Sequence, residues 1–189
     1  MKKLATKSKR DAYHHGDLRR TLLEAARSEI AAHGAQDLSL ASLARRAGVA
    51  QSAPYRHFAD RGELLTAVAI HGFRVFTDTL RAASEAGPKT GAIKRIGAAY
   101  LRFGEENTQL YRLMFASSLV ANAAEDSELR EAAWASFEPL LSRVADGGSV
   151  KQPRLAAYAI WAQLHGFVML QADGLLAEPS EELLKGLIL

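Results

Sequence analysis

Six polar side chains crowd one short stretch of this sequence: Gln51, Ser52, Tyr55, Arg56 and His57, with Arg61 four residues further on. Together they suit recognition by hydrogen bonding. A glutamine amide pairs in bidentate fashion with an adenine edge. Hydroxyl, guanidinium and imidazole groups suit phosphate oxygens. No Gly-rich phosphate loop, His–Glu metal pattern or nucleophile elbow stands elsewhere in the chain. Cysteine is absent, which excludes a disulfide scaffold, a thiolate zinc site and a cysteine nucleophile. His14 and His15 followed by Asp17 superficially offer metal ligands, but adjacent side chains on a helix diverge. The same divergence makes Glu105–Glu106 and Glu181–Glu182 poor acid–base pairs. No cofactor, metal or catalytic residue is expected, and the chain is not read as an enzyme.

The elements that must position the polar cluster are helices. Ala, Leu, Glu and Arg dominate, and no strand-like alternation of five or more residues occurs. A first helix is predicted from Gly16 to His33, with Leu18, Leu22, Ala25, Ala26 and Ile30 on one apolar face and Gly34 as its stop. Ser39 then caps a short helix, Leu40 to Ala47, that turns Leu40, Leu43 and Ala44 inward and Arg45 and Arg46 outward. Gly48 supplies the tight turn, Val49 plugs the angle, and a second short helix runs from Gln51 to Phe58, with Phe58 in the core. A rod of helical diameter held this way fits the major groove of B-DNA. Asp60 and Glu63 then open a long helix to about Ala86, closed by Gly87 and Pro88. Further helices are expected near 89–104, 107–120, 125–145, 153–174 and 180–189. The fold class is thus all-α, divided at 1–62 and 63–189.

Charge favours the same end of the chain. Residues 1–62 carry 12 Lys/Arg against 6 Asp/Glu, whereas 63–189 carry 12 against 15, so the net +3 lies wholly in the first third. A basic end points to nucleic acid or an anionic surface. Lys2, Lys3, Lys7, Lys9 and Arg10 lie in a segment, 1–12, that is expected to be a flexible arm reaching phosphates or the minor groove. No apolar run approaches ~18 residues, so no membrane span is expected, and the location expected is the cytoplasm, at the bacterial nucleoid.

Residues 14–65, and most densely SLASLARRAGVAQSAPYRHFADRGELL at 39–65, resemble the DNA-binding domain of TetR-family transcriptional regulators. Tyr55-Arg56-His57-Phe58 followed by Arg61, Glu63, Leu64 and Leu65 is typical of that family. The resemblance implies an N-terminal three-helix DNA-binding domain with a helix-turn-helix and a C-terminal helical domain for ligand binding and dimerisation. It implies that Gln51, Ser52 and Ala53 face bases, that Tyr55, His57 and Arg61 hold the DNA backbone, and that Arg56 faces either; Ser39 completes the DNA-binding set. The partners implied are a double-stranded, palindromic DNA operator and a second copy of the chain. Three departures stand out: Ala50 where Ser or Thr is frequent, Pro54 inside the second helix, and Arg61 where lysine is usual. Proline is tolerated only where its missing N–H would be unpaired, so the helix is expected to begin at Gln51 or Ser52.

In the remaining two-thirds, Trp161 and His165 share a helix face, and Gly166 is expected to permit close helix approach. The string Ala159 to Gly166 resembles the Trp–His–Gly (WHG) signature of one C-terminal domain type in that family. Tyr100, Phe103, Tyr111, Phe115, Trp134, Trp161 and His165 are the candidate lining of a pocket for a small hydrophobic or aromatic effector. The last two helices are the expected homodimer surface, with Leu183, Leu184, Leu187 and Ile188 crowding the chain end. The function expected is a ligand-responsive regulator, most often a repressor in such a family. The alternatives are an effector-independent DNA-binding protein and a small helical enzyme.

Overall fold

In the computed structural model, backbone is described for residues 9–148 and 150–186, and side chains from Leu18 onward within those ranges. Every regular element among them is helical, and none is long and apolar enough to cross a membrane. Residues 2–8 of the basic arm and Leu187–Ile188 lie outside the described residues, as do the side chains of Lys9, Arg10, His14, His15 and Asp17. The chain divides into two compact units, Met1–Val68 and Ala69–Leu189, with the division inside a helix.

The first unit is built from α1 (Lys9–His33), α2 (Leu40–Arg46), a 3-10 turn (Pro54–Arg56) and the start of α3 (Arg61–Glu85). α1 starts earlier than the sequence predicts, so Lys9 to Asp11 have helical backbone and are not part of an irregular arm. Leu22, Ala26 and Ile30 are fully buried at helical spacing and meet Leu40, Leu43 and Ala44 in the core. Gly34, at φ +79°, closes α1 by a bond from its N–H to the Ile30 carbonyl. α2 is capped reciprocally. Ser39 Oγ accepts from the Ser42 N–H at 3.0 Å, and Ser42 Oγ accepts from the Ser39 N–H at 3.2 Å. α3 opens on Asp60, whose carboxylate accepts from the Glu63 N–H at 2.9 Å, while Glu63 reaches back to the Ala59 N–H at 2.6 Å.

The second unit continues α3 and adds α4 (Ala92–Glu106), α5 (Thr108–Tyr111), α6 (Leu119–Asn122), α7 (Glu128–Ala135), α8 (Glu138–Asp146), α9 (Pro153–Ala172) and α10 (Ser180–Lys185). Two helices expected to be continuous are broken. A π-helical turn, Arg112–Ala116, follows α5. Between α7 and α8 the chain breaks ahead of Pro139, whose ring would collide with the Ala135 carbonyl of an unbroken helix and which has no N–H to give it. α4 packs against α8, α9 and α10. Gly104 is what lets α4 approach α9, since a Cβ there would overlap the Val168 side chain. Gly72 does the same for Met114 on the π turn, whose Sδ would lie 2.7 Å from an added Cβ. Gly166, expected to play this part, faces open space in the single chain.

Candidate functional site

The polar cluster near residue 51 hangs on a turn that its sequence dictates. After Arg46 the chain closes in a Schellman arrangement: the Val49 N–H donates to the Ala44 carbonyl at 3.0 Å and the Gly48 N–H to Arg45 at 3.3 Å. Gly48 sits at φ +67°, a left-handed conformation that a side chain makes costly. Beyond this turn the chain departs from the α-helix expected over 51–58. Residues 51–53 form turns, and the helical segment proper is a single 3-10 turn with Pro54 as its first residue. Ala53 bonds back to Ala50 at 2.9 Å, Arg56 to Ala53 at 3.2 Å and His57 to Pro54 at 2.9 Å, each three residues apart. Pro54 explains this. In an α-helix begun at 51, its ring would press on the Ala50 carbonyl and supply no N–H to it. The three-residue pitch gives that carbonyl to Ala53 instead.

Within this segment, burial sorts the side chains. Pro54 and Phe58 are buried, four residues apart, with the Arg19 guanidinium 5.2 Å from the Phe58 ring centroid. Gln51, Ser52 and Arg56 are exposed, and Tyr55 is 56% exposed, so these four share the outward side. Ala53 and His57 are half-buried. Ser39 spends its hydroxyl oxygen on the α2 cap. Arg46 pairs with Glu29, and His33 lies 3.3 Å from the same carboxylate.

Arg61 is engaged in a way its sequence position does not announce. Its Nε donates to the Leu38 carbonyl at 2.8 Å, and its Nη2 donates to those of Ala35 at 2.5 Å and Gln36 at 3.1 Å. All three acceptors belong to the link between α1 and α2.

In the second unit, the candidate effector residues form one aromatic cluster with a single exception. Phe76 stands at its centre, 5.0 Å from Tyr100, 4.7 Å from Phe103 and 6.1 Å from Trp161, ring centre to ring centre. Tyr111 and Phe115 lie 4.6 Å apart, and Phe115 is 5.4 Å from His165. Trp134 stands apart, 58% exposed, and shares no ring contact with the cluster among the described residues. Phe76 and Phe137 join the cluster without having been expected there. The Phe73–Phe76 spacing places both rings on one side of α3, which is the signal that could have found Phe76.

The cluster has a polar spine. The Tyr100 and Tyr111 hydroxyls are 2.7 Å apart, and Tyr111 Oη lies 2.7 Å from His165 Nδ1. Both tyrosines are fully buried. Burial pushes both phenols well above the ordinary tyrosine value and pulls His165 below the ordinary histidine value. The spine therefore holds neutral groups. Among the described residues Tyr100 has no acceptor other than Tyr111, so it donates to Tyr111, Tyr111 donates to Nδ1, and the histidine proton resides on Nε2. The grooves described on this unit lie elsewhere. One of about 320 Å³ runs between Arg74, Asp78 and Arg81 of α3 and Glu128 and Glu131 of α7. Among the described residues, no group of three or more acidic or histidine side chains could hold a metal ion.

Residues 22–68 match the family model described as bacterial regulatory proteins, tetR family, and residues 93–188 match one described as tetracyclin repressor-like, C-terminal domain. A protein of unknown function from Rhodococcus sp. RHA1 is 34% identical over 92% of this chain and 93% of its own, with a TM-score of 0.78. A TetR family transcription regulator from Marinobacter aquaeolei VT8 is 20% identical over 93% and 94%, with a TM-score of 0.67. The TetR-like regulator LfrR from Mycobacterium smegmatis, solved in complex with proflavine, is 24% identical over 93% of each chain, with a TM-score of 0.62. No curated protein matches the sequence.

Proposed function

The chain belongs to the TetR family of bacterial transcriptional regulators, and from that premise we propose that it is a homodimeric repressor released from a palindromic operator by a small molecule. One observation carries the DNA-reading half of the proposal. Gln51, Ser52, Tyr55 and Arg56 share an exposed side of a segment pinned from within by Pro54 and Phe58. On this reading Gln51, Ser52 and Ala53 meet base edges, Tyr55 and His57 hold phosphates, and Arg56 faces either. The site of action is the nucleoid, in the cytoplasm.

For the dimer, α9 is the supporting element. It is apolar nearly all round, which a helix covered on one side only does not require. Ala157, Ile160, Leu164 and Val168 face the core. On the opposite side Leu155, Ala159, Ala162, Gly166 and Leu170 follow each other at helical spacing, with Leu155 60% and Leu170 41% exposed. Large residues at the ends and small ones between suit a close crossing with the same stripe of a second copy, where the open Gly166 finds its use. α10, with Leu183 and Leu184 half-buried, completes the surface.

The effector is an aromatic or hydrophobic small molecule at the half-exposed edge of the cluster formed by Phe115, Trp161 and His165. It acts through its different affinities for two arrangements of the dimer, with α3, which contributes to both units, as the lever. One observation favours a second reading, a regulator without an effector: Tyr100 and Tyr111 are fully buried against each other, and the buried Phe103 packs on Phe76.

Binding to duplexes selected from a random pool tests the DNA-reading assignment. Gln51→Ala should alter base preference at one position per half-site. Tyr55→Phe should weaken all sites alike, by about 1–3 kcal/mol for one hydrogen bond lost in each of the two subunits. An unaltered preference in Gln51→Ala removes its base-reading role.

A further inference from the structure

The helix-turn-helix occupies Ser39 to Phe58, and Arg61 follows it by three residues. The carbonyls that its guanidinium grips, at Ala35, Gln36 and Leu38, precede the motif's first residue. One side chain thus joins the chain entering the motif to the chain leaving it, across 23 residues of sequence at Leu38. We propose that Arg61 is a clasp that sets the angle of the recognition segment, and that it is a positioning residue rather than a phosphate ligand. The inference rests on the DNA-reading assignment above for its functional consequence, and on the hydrogen bonds alone for the clasp.

The chemistry favours arginine for this task. The guanidinium is planar and presents donors in a fixed fork, so Nε and Nη2 reach Leu38 on one side and Ala35 and Gln36 on the other at the same time. An ammonium is a point donor on a flexible stem, and it does not reproduce that spread. A lysine at this place is suited to a phosphate, whereas the arginine found here has its Nε and Nη2 donors turned to the protein's own backbone. Leu38 is buried, and the next residue is the cap of α2. Asp60, immediately before Arg61, caps α3. The clasp therefore ties together two helix starts whose separation fixes where the exposed side of Gln51, Ser52, Tyr55 and Arg56 lies. The Gly48 turn, at the far end of α2, and the buried Pro54 and Phe58 also hold the segment, so loss of the clasp loosens its angle without unfolding it.

The test compares Arg61→Lys and Arg61→Gln with the unaltered full-length chain. Circular dichroism at the assay temperature establishes that each is folded. Affinity is measured for the duplex enriched by selection and for a scrambled duplex of the same length, each across a range of salt. A clasp predicts a lower thermal midpoint in both variants, by about 2–4 °C in a chain of this length. It also predicts a roughly tenfold fall in the ratio of selected to scrambled affinity. The slope of log affinity against log salt stays as in the unaltered chain. A phosphate ligand predicts the reverse: Arg61→Lys close to unaltered, and Arg61→Gln with a slope shallower by about 1.8, for one phosphate no longer neutralised by each subunit of a dimer. That result, or an unchanged affinity ratio in Arg61→Lys, overturns the proposal. If the unaltered chain prefers no duplex, the DNA-reading assignment fails, and the thermal midpoints still decide whether the clasp exists.

Discussion

Replacing Tyr100 by Phe should have opposite effects in two backgrounds, because the proton order along Tyr100, Tyr111 and His165 is fixed by its dead end. Tyr100 is fully buried, and among the described residues its hydroxyl meets only Tyr111. In the unaltered chain, Tyr100→Phe removes one hydrogen bond and leaves Tyr111 donating to His165 Nδ1. The expected loss is about 0.5–1.5 kcal/mol. Tyr111→Phe is worse. It removes both bonds and strands the Tyr100 hydroxyl in an apolar interior, with a penalty of about 1–3 kcal/mol for the orphan alone. Adding Tyr100→Phe to Tyr111→Phe then deletes the orphan, so the double variant should be more stable than Tyr111→Phe by about 1 kcal/mol or more. The assay is urea unfolding of the four proteins at one protein concentration, since the stability of the proposed dimer depends on it. Equal destabilisation by Tyr100→Phe in both backgrounds would falsify the proton order.

Gly48→Ala should lower the stability of the first unit by about 1–2 kcal/mol through backbone strain alone. An added Cβ at Gly48 meets nothing within 4 Å, so an unchanged midpoint would contradict the role of its φ of +67°. Ala162→Arg, in the middle of the exposed α9 stripe, should yield monomers in sedimentation and lose operator affinity; a dimer of unchanged strength would place the interface elsewhere. For His165, burial lowers the folded-state pKa below the ordinary histidine value. The unfolded chain therefore binds the extra proton first, and stability falls as pH drops from about 6.5 toward the lowered value. His165→Gln should flatten that fall on the acid side of neutrality, and identical profiles for the two proteins would show that His165 does not contribute to it.

What could be read from the sequence was local. The apolar face of α1, the Ser39 cap, the Gly48 turn and the inward set of α2 all follow from spacings of three or four residues, and all are found in the structure. Pro54 was visible too, but its consequence reaches further than the start of a helix: it converts the segment to three-residue pitch. Pro139 likewise carried the signal for the break between α7 and α8. The remaining features depend on residues far apart in the chain. Arg61 is 23–26 residues from its acceptors, and Tyr111 is 54 from His165. No spacing rule distinguishes Trp134, left on the surface, from Trp161, drawn into the cluster. Nor does one distinguish Gly166, where an added Cβ meets nothing within 4 Å, from Gly104, closed against Val168.

Selection from a pool of random duplexes by the purified full-length chain addresses the central claim most directly. The account predicts enrichment of an imperfect inverted repeat, with half-site centres one helical turn or a multiple apart, ~34 Å each. Gln51→Ala should then select a repeat altered at one symmetric pair of positions. Enrichment of no sequence, or of a site without two-fold symmetry, would contradict it.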